Sequence, residues 1–278
     1  MTRITKIAGD HVPVLGQGTW QLGDHKAKRA QEIATLQLGI DLGLTLIDTA
    51  ELYGDGASEE LVADAIAGRR DQVFLVTKVL PGNACSRKKI VAACDASLRR
   101  LRVDHVDLYL LHWRSGEDLP ATVETFGELV RAGKIRHWGV SNFDVDDLAE
   151  LRALPGGERV ACNQVLYNVS RRGIEFDLLP AAQERGMNVM AYTPIEQGKV
   201  LGNAALAQVA SRHDATPAQV ALAWVIRQPG VIAIPRASSP GHVRDNAGAL
   251  HIELTPQDLA DIDRAFPPPK KKRALEML

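Results

Sequence analysis

The sequence has few cysteines, almost no net charge and no long apolar run, and each shortage excludes a class of protein. Cys85, Cys94 and Cys162 are the only cysteines in 278 residues and lie far apart. Their spacing favours reduced thiols and excludes a C-x-x-C redox motif. The formal net charge of −1 gives no electrostatic reason for a nucleic-acid or membrane-surface partner. Without an apolar leader or a bilayer-spanning run of about 20 residues, we expect a cytoplasmic protein.

Three common cofactor and catalytic motifs are also missing. The glycine pair Gly16 and Gly18 lacks the third glycine of a dinucleotide-binding fingerprint, because Gln21 occupies that position. A Rossmann domain is therefore disfavoured. The histidines are not at ligand spacing and H-E-x-x-H is absent, so we expect no metal site. No G-x-S-x-G sequence is present, which argues against a serine-hydrolase elbow.

What the chain does contain is a regular alternation of short apolar runs and amphipathic segments. The apolar runs predict strands at 16–20, 44–48, 73–78, 106–112, 135–141, 160–165, 188–192 and 231–234. The amphipathic segments predict helices at 27–39, 58–67, 86–101, 121–132, 145–154, 178–185, 203–213, 217–227, 241–247 and 256–266. Ser58, Ser86 and Thr216 are the expected N-caps of three of these helices.

Units of roughly 30 to 35 residues, each a strand followed by a helix, indicate an α/β fold whose parallel sheet is buried on both faces. In a chain of this length they predict one (β/α)8 TIM barrel domain spanning 1–278, with a doubly wound open sheet as the alternative. Segments 4–7 and 11–15 predict an N-terminal β-hairpin, and additional C-terminal helices follow the last strand. The basic run 270–273 is expected to be a solvated terminus.

Polar residues stand where three consecutive predicted strands end. Asp48 ends the second strand, and Tyr53 follows it in a glycine-marked turn. Lys78 and His112 end the third and fourth strands. The carboxyl ends of the strands in a TIM barrel form its catalytic rim. Each residue alone is compatible with a structural role, but four of them on one rim predict an active site.

These four side chains suit proton donation to a carbonyl group. Free tyrosine has a pKa of about 10 and is therefore protonated at neutral pH. We expect the positive charge of Lys78 to lower the pKa of Tyr53, and Asp48 to keep Lys78 charged. His112 is expected to hydrogen-bond and orient the substrate oxygen.

Several short segments carry a family resemblance that covers the chain from about residue 15 to residue 266. They are Gly18-Thr19-Trp20, Ile47-Asp48-Thr49-Ala50 with Tyr53, Thr77-Lys78, Leu111-His112-Trp113, Gly133-Lys134-Ile135-Arg136, Gly139-Val140-Ser141-Asn142-Phe143, Asn163-Gln164, Tyr192-Thr193-Pro194 and Ile234-Pro235-Arg236. Together they resemble the aldo-keto reductases, with a lean toward the bacterial branch that reduces methylglyoxal and diketogulonate.

The resemblance implies an NAD(P)H-dependent carbonyl reductase in which Asp48, Tyr53, Lys78 and His112 form a catalytic tetrad. Tyr53 would be the general acid that protonates the carbonyl oxygen. The resemblance also implies cofactor contacts at Gly18, Thr19, Ser141, Asn142, Gln164, Tyr192, Thr193, Pro194, Ile195, Gln197, Gly198, Arg236, Ser238, Ser239, His242, Asp245 and Asn246.

Within that set, Ser141, Asn142 and Gln164 match the positions that hold the nicotinamide carboxamide, and their groups offer the donors and acceptors an amide needs. Tyr192 matches the aromatic residue on which the ring stacks. Arg236 replaces the lysine that usually touches the 2′-phosphate, and arginine can bind a phosphate in bidentate fashion. We therefore predict NADPH as the cofactor, with NADH as the alternative.

Trp20 and Trp113 match the aromatic walls of the substrate pocket in the family. Arg114 stands where the family often has proline, so the loop after His112 is expected to differ. The C-terminal segment that shapes specificity in the family is short here, which predicts an open mouth. We expect a small-molecule carbonyl substrate (an aldehyde, dicarbonyl, keto ester or keto sugar) and a monomeric enzyme.

Two other functions are compatible with a barrel. Lys78 could form a Schiff base in an aldolase-type reaction, with the loops 193–199 and 236–239 binding a substrate phosphate. That mechanism leaves Ser141, Asn142, Gln164 and Tyr192 without a role. Alternatively, the protein could be a non-catalytic barrel that senses NADPH and regulates a partner, which predicts tight NADPH binding with negligible turnover.

Overall fold

The computed structural model describes residues 3–116 and 118–278. Its strands are β1 (Ile4–Ile7), β2 (Asp10–Pro13), β3 (Gln17–Gly18), β4 (Leu46–Asp48), β5 (Phe74–Val79), β6 (Val106–Leu111), β7 (Ile135–Ser141), β8 (Cys162–Leu166), β9 (Asn188–Tyr192) and β10 (Val231–Ala233). Its α-helices are α1 (Arg29–Asp41), α2 (Ala57–Ala65), α3 (Arg87–Leu101), α4 (Leu119–Arg131), α5 (Val145–Ala153), α6 (Leu178–Glu184), α7 (Ala204–Arg212), α8 (Pro217–Ile226), α9 (Pro240–Gly248) and α10 (Pro256–Ala265). In the described part of the chain, no helix combines the length and apolar character that crossing a membrane requires.

Strands β3 to β10 form one sheet in chain order, and this sheet closes on itself. Leu15 bridges to Ala233 and Gly18 to Arg236, both in the parallel sense, so the first and last strands are joined. The amide of Gly16 also donates to the carbonyl of Ala233 at 2.8 Å. These contacts confirm the predicted (β/α)8 barrel over the open sheet.

The predicted N-terminal hairpin is present and closes the end of the barrel where the strands begin. Strands β1 and β2 pair in antiparallel fashion, with Ile4 opposite Pro13. Ile7 and Val12 are buried in the apolar cluster inside the barrel. The hairpin therefore covers the end opposite the catalytic rim.

Side chains on each barrel strand alternate between the interior and the helix layer. The interior cluster includes Leu46, Val76, Leu110, Cys162 and Met190, each on a different strand. Two positions further along, the same face carries Asp48, Lys78, His112, Gln164 and Tyr192. A strand period of two thus directs all five polar side chains into the mouth.

Helix α2 begins differently from the prediction. Its N-cap is Gly56, with φ +93°, and not Ser58. Ser58 is fully buried, and its hydroxyl donates to Oγ1 of Thr19 at 2.7 Å. The prediction was wrong because the β3 loop supplies this serine with an interior partner. The expected caps at Ser86 and Thr216 are confirmed.

The C-terminal residues follow the barrel surface without regular structure. Over 267–278 no helix or strand forms, yet Lys272 lies 3.4 Å from Asp146 and 3.6 Å from Asp177. Leu275 packs against the apolar core. The basic run 270–273 is exposed, as expected of a solvated terminus, and Lys272 in addition pairs with acidic residues at the starts of α5 and α6.

Gly139 on β7 provides a test of the barrel packing. A Cβ at this position would lie 2.4 Å from the carbonyl oxygen of Cys162. We expect Gly139→Ala to lower the free energy of unfolding by about 2–4 kcal/mol, because the backbone must shift to remove the overlap. Gly202→Ala is the control, since no atom lies within 4 Å of an added Cβ there. Urea unfolding followed by circular dichroism measures both variants, and wild-type stability in Gly139→Ala would contradict this packing.

Candidate active site

The polar residues predicted at the rim meet around the ammonium group of Lys78. Lys78 is fully buried. Its Nζ donates to Oδ2 of Asp48 at 2.8 Å, to the carbonyl of Thr49 at 2.9 Å and to the hydroxyl of Tyr53 at 3.1 Å. These contacts use all three donors of the ammonium group. The structure therefore brings Asp48, Lys78 and Tyr53 into direct contact.

Tyr53 is held by a tight turn that follows β4. The turn covers Tyr53–Gly56, and φ is positive at Gly54 (+57°), Asp55 (+50°) and Gly56 (+93°). A Cβ at Gly56 would lie 2.4 Å from Cδ of Arg100, so the Arg100 side chain from α3 covers the turn directly. Glycine at this position permits both the backbone conformation and the close approach.

A buried ion pair supports both the Tyr53 turn and the strand that carries Lys78. Glu59 on α2 is fully buried and accepts from Nε of Arg100 at 2.6 Å and from the hydroxyl of Thr77 at 2.6 Å. Thr77 immediately precedes Lys78 on β5. The pair therefore fixes α2, α3 and β5 relative to one another. Sequence patterns do not indicate this support, because Glu59 resembles an ordinary acidic residue in a first helical turn.

Burial and charge together set the protonation of the site. Burial acts to lower the pKa of Lys78, but Asp48 and Tyr53 outweigh it, so the pKa of Lys78 is raised. Burial raises the pKa of Asp48, and Lys78 opposes that shift. Burial also raises the pKa of Tyr53 despite the opposing charge of Lys78. The predicted lowering was wrong in sign because the phenol is desolvated as well as placed beside a cation. Tyr53 is therefore protonated at neutral pH.

His112 follows β6 and adds a neutral imidazole to the site. Burial, followed by the charge of Lys78, lowers the pKa of His112 to about 3. Its ring lies edge-on to Tyr53, with 5.9 Å between the centroids. Nδ1 of His112 has no hydrogen-bond partner among the described residues. A neutral imidazole has one N–H donor, so His112 can donate to an oxygen placed beside the Tyr53 hydroxyl.

The residues expected to hold nicotinamide form a connected network beside the tetrad. Ser141 donates to the carbonyl of Gln164 at 2.8 Å, and Tyr192 donates to Oδ1 of Asn142 at 2.9 Å. The side-chain amide of Gln164 donates to Oδ1 of Asp48 at 2.7 Å. This last contact, which sequence patterns did not show, joins the network to the ion pair. Hydroxyl and amide groups here match the donors and acceptors of a primary carboxamide.

Most of the other expected cofactor residues lie on the loops after β9 and β10 and on α9. Arg236 follows β10 and donates to Oε1 of Gln21 at 2.8 Å. Ser239 is the N-cap of α9 and accepts from the amide of His242. A guanidinium near a helix N-terminus suits a phosphate group. Asp245, another expected cofactor residue, accepts a hydrogen bond from the hydroxyl of Thr216 at 3.1 Å.

Gly18 and Thr19 lie at the rim where the barrel closes. A Cβ at Gly18 would be 2.7 Å from the carbonyl oxygen of Ile234, so glycine permits this closure. Thr19 is fully buried, and its hydroxyl donates to the carbonyl of Asp48 at 3.0 Å. Both residues thus position the strand that bears Asp48. Their contact with a cofactor stays a prediction.

Aromatic residues and the C-terminal segment border the mouth. Trp20 is 46% exposed, and the ring of Trp113 lies 4.9 Å from that of His112. On another side, the backbone of Leu278 opposes the rise that burial causes in the pKa of Tyr192. The open mouth expected from the short C-terminal segment stays a prediction. Over residues 3–116 and 118–278, no cluster of histidine, cysteine and carboxylate side chains is placed to hold a metal ion.

Comparisons with known proteins agree with this geometry. The profile of the Aldo/keto reductase family matches residues 14–266. The chain is 49% identical to methylglyoxal reductase YeaE of Escherichia coli strain K12, over 99% of each chain. It is 30% identical to methylglyoxal reductase DkgB of Escherichia coli O157:H7, over 89% of this chain and 90% of that one. The crystal structure of an aldo-keto reductase from Klebsiella pneumoniae in complex with NADPH matches with a TM-score of 0.97 and 48% identity, over 100% of both chains.

The lowered pKa of His112 predicts how stability depends on pH. The unfolded chain binds a proton at His112 below pH of about 6.5, whereas the folded protein does so only near pH 3. Between these values stability rises with pH, by about 1 kcal/mol per pH unit from this group. We expect His112→Gln to remove this contribution to the slope of unfolding free energy against pH. Urea unfolding of both proteins between pH 4.5 and 7.5, a range set by these pKa values, measures the two slopes. Equal slopes in the two proteins would show that His112 is not buried as a neutral imidazole.

Proposed function

Because this chain belongs to the aldo/keto reductase family, we propose that it is an NADPH-dependent oxidoreductase that reduces small aldehydes and dicarbonyls to alcohols. The observation that carries the proposal is the Tyr53 hydroxyl, 3.1 Å from the buried ammonium of Lys78. A protonated phenol beside a cation is an acid whose conjugate base is stabilised in place. That is the group a carbonyl oxygen needs as it gains negative charge.

The proposed mechanism divides the work among three side chains. NADPH, when bound, supplies the hydride. Tyr53 donates its proton to the carbonyl oxygen, and the N–H of His112 hydrogen-bonds the same oxygen and orients it. Because His112 is neutral, it supports the oxygen without competing as the proton donor.

Lys78 acts through Tyr53. A phenolate in this buried site would be unfavourable without a counter-charge. The ammonium of Lys78 is already hydrogen-bonded to the phenol oxygen, and charges attract strongly where water is excluded. Asp48 keeps the proton on Lys78. We assign to Lys78 and Asp48 a lowering of the free energy needed to form the Tyr53 phenolate.

The cofactor assignment rests on the donor set and on the relatives. Ser141, Asn142 and Gln164 would hold the carboxamide, and the ring would stack on Tyr192. Arg236 would bind the 2′-phosphate, which favours NADPH over NADH. The Klebsiella pneumoniae protein with 48% identity was crystallised with NADPH. That the same pocket serves both proteins is part of the proposal.

For the substrate we propose methylglyoxal and related small dicarbonyls, with keto esters and keto sugars as further candidates. Two relatives, at 49% and 30% identity, are named methylglyoxal reductases. That the enzyme acts as a monomer is also part of the proposal.

The alternatives fit the site less well. A Schiff-base mechanism needs Lys78 as a free amine, whereas Asp48 and Tyr53 keep it protonated. A non-catalytic NADPH sensor would need the cofactor residues but not the contact between Tyr53 and Lys78. The preserved contact therefore favours a reductase.

Tyr53→Phe tests the acid directly. We expect this change to lower kcat/KM for methylglyoxal by about 100- to 10,000-fold, because the proton donor is lost. The dissociation constant for NADPH should change little. The rate of NADPH absorbance loss and a fluorescence titration measure the two quantities. Tyr109→Phe is the matched control, since it removes a buried hydroxyl that has no hydrogen-bond partner among the described residues. Near-wild-type turnover of Tyr53→Phe would refute the assignment.

Arg236→Met tests the cofactor preference. We expect kcat/KM for NADPH to fall about 10- to 100-fold, the usual effect of removing a hydrogen-bonded charge. The value for NADH should stay nearly constant, because NADH lacks the 2′-phosphate. Assays with both cofactors at a fixed aldehyde concentration give the ratio. Equal losses with both cofactors would mean that Arg236 does not read the phosphate.

A further inference from the structure

Residues 272–278, which we call the terminal strap, run along one side of the barrel mouth. Lys272 anchors the strap to Asp146 and Asp177, at 3.4 and 3.6 Å. Leu275 packs against the apolar core and lines a cleft together with Leu166. The strap therefore has a polar and an apolar anchor outside the tetrad.

Arg171, on the loop after β8, joins the strap to the loop after β9. Its Nη1 lies 2.8 Å from Oε1 of Glu276 in the strap. Its Nε and Nη2 lie 3.2 and 3.1 Å from Oε1 of Glu196. Glu196 is only 5% exposed, and its second oxygen accepts from Nδ2 of Asn168 at 2.8 Å. One planar guanidinium thus binds two carboxylates on separate segments, a geometry that lysine cannot reproduce.

The loop 193–199 keeps a backbone that it would not favour alone. Thr193, Glu196 and Gln197 have φ of +51°, +48° and +54°, a region unfavourable for residues with a Cβ. Nδ2 of Asn168 donates to the carbonyl of Thr193 at 3.0 Å as well as to Glu196. Asn168 and Arg171 therefore hold the loop in its observed conformation. This loop contains five of the residues expected to contact the cofactor, namely Thr193, Pro194, Ile195, Gln197 and Gly198.

The end of the strap also acts electrostatically on a residue of the expected nicotinamide site. Burial raises the pKa of Tyr192 to about 12, and the backbone of Leu278 opposes that rise. The Tyr192 hydroxyl donates to Asn142. The direct contact between the strap and the expected cofactor residues is the one that Arg171 makes with Glu276 and with the loop 193–199.

We propose that Arg171 is a positioning residue that couples the terminal strap to the loop 193–199, so that cofactor binding at the loop orders the strap against the mouth. The inference rests on the proposed function, since it takes NADPH as the ligand of the loop. Coupling of this kind is reciprocal: whatever orders the strap must also strengthen NADPH binding.

The test measures amide hydrogen exchange of residues 272–278 with and without NADPH, and the dissociation constant for NADPH by fluorescence titration. The proteins are the wild type, Glu276→Gln, Arg171→Met and Arg171→Lys. Glu128→Gln is the matched control, because it removes a surface ion pair with Arg87 between α3 and α4. Glu276→Gln leaves the buried carboxylate of Glu196 paired, so it tests the coupling even where Arg171→Met folds poorly.

We expect NADPH to slow amide hydrogen exchange of the strap in the wild type and in Glu128→Gln. In Glu276→Gln and Arg171→Met, most of this slowing should be absent. The dissociation constant should rise about threefold in Glu276→Gln, whose ion pair is half exposed, and about tenfold in Arg171→Met. Arg171→Lys should recover part of both effects.

Persistent NADPH-dependent protection of the strap in Glu276→Gln, with unchanged affinity, would overturn the coupling while leaving the proposed function intact. No protection in the wild type despite NADPH binding would also overturn it. A wild-type protein that fails to bind NADPH would instead overturn the proposed function, and the coupling with it.

Discussion

The buried ammonium of Lys78 is the interaction on which the rest of the site depends. A charge so fully removed from water is tolerated when partners take all its donors, and here Asp48, Thr49 and Tyr53 do so. All three partners belong to β4 or to the segment just after it. One lysine on the neighbouring strand therefore fixes the position of the Tyr53 phenol. The same contact that orders the segment also stabilises the phenolate in the proposed reaction.

The support of this contact extends well beyond the tetrad. Glu59 and Arg100 clamp the Tyr53 turn to β5, and Gln164 connects Asp48 to the residues expected to hold the cofactor. Tyr53 and the residues expected to hold the cofactor thus belong to one hydrogen-bonded network. A change in either part should be felt by the other, because buried polar networks respond as units.

Much of the fold, and the meeting of Asp48, Tyr53, Lys78 and His112 at one rim, could be predicted from the sequence, because both depend on local patterns. Apolar runs of strand length and a period of two place Lys78 and His112 at the ends of interior-facing rows. Features that depend on distant partners could not be read in this way. The raised pKa of Tyr53 reflects burial, which no motif encodes. Ser58 is drawn into the interior by Thr19, and the terminal strap is held by acidic residues more than 90 positions earlier in the chain. The cofactor contacts of the individual residues remain predictions.

The most direct test of the central claim, that Lys78 acts through Tyr53, is a double-mutant cycle. It compares single-turnover hydride transfer to methylglyoxal in the wild type, Tyr53→Phe, Lys78→Met and the double variant, at saturating NADPH. If Lys78 works by stabilising the Tyr53 phenolate, the double variant should react about as slowly as Tyr53→Phe alone. Without the Tyr53 hydroxyl no phenolate forms, so the loss of Lys78 has no further effect on the rate. Losses that multiply in the double variant would contradict the account and show that the two groups act independently.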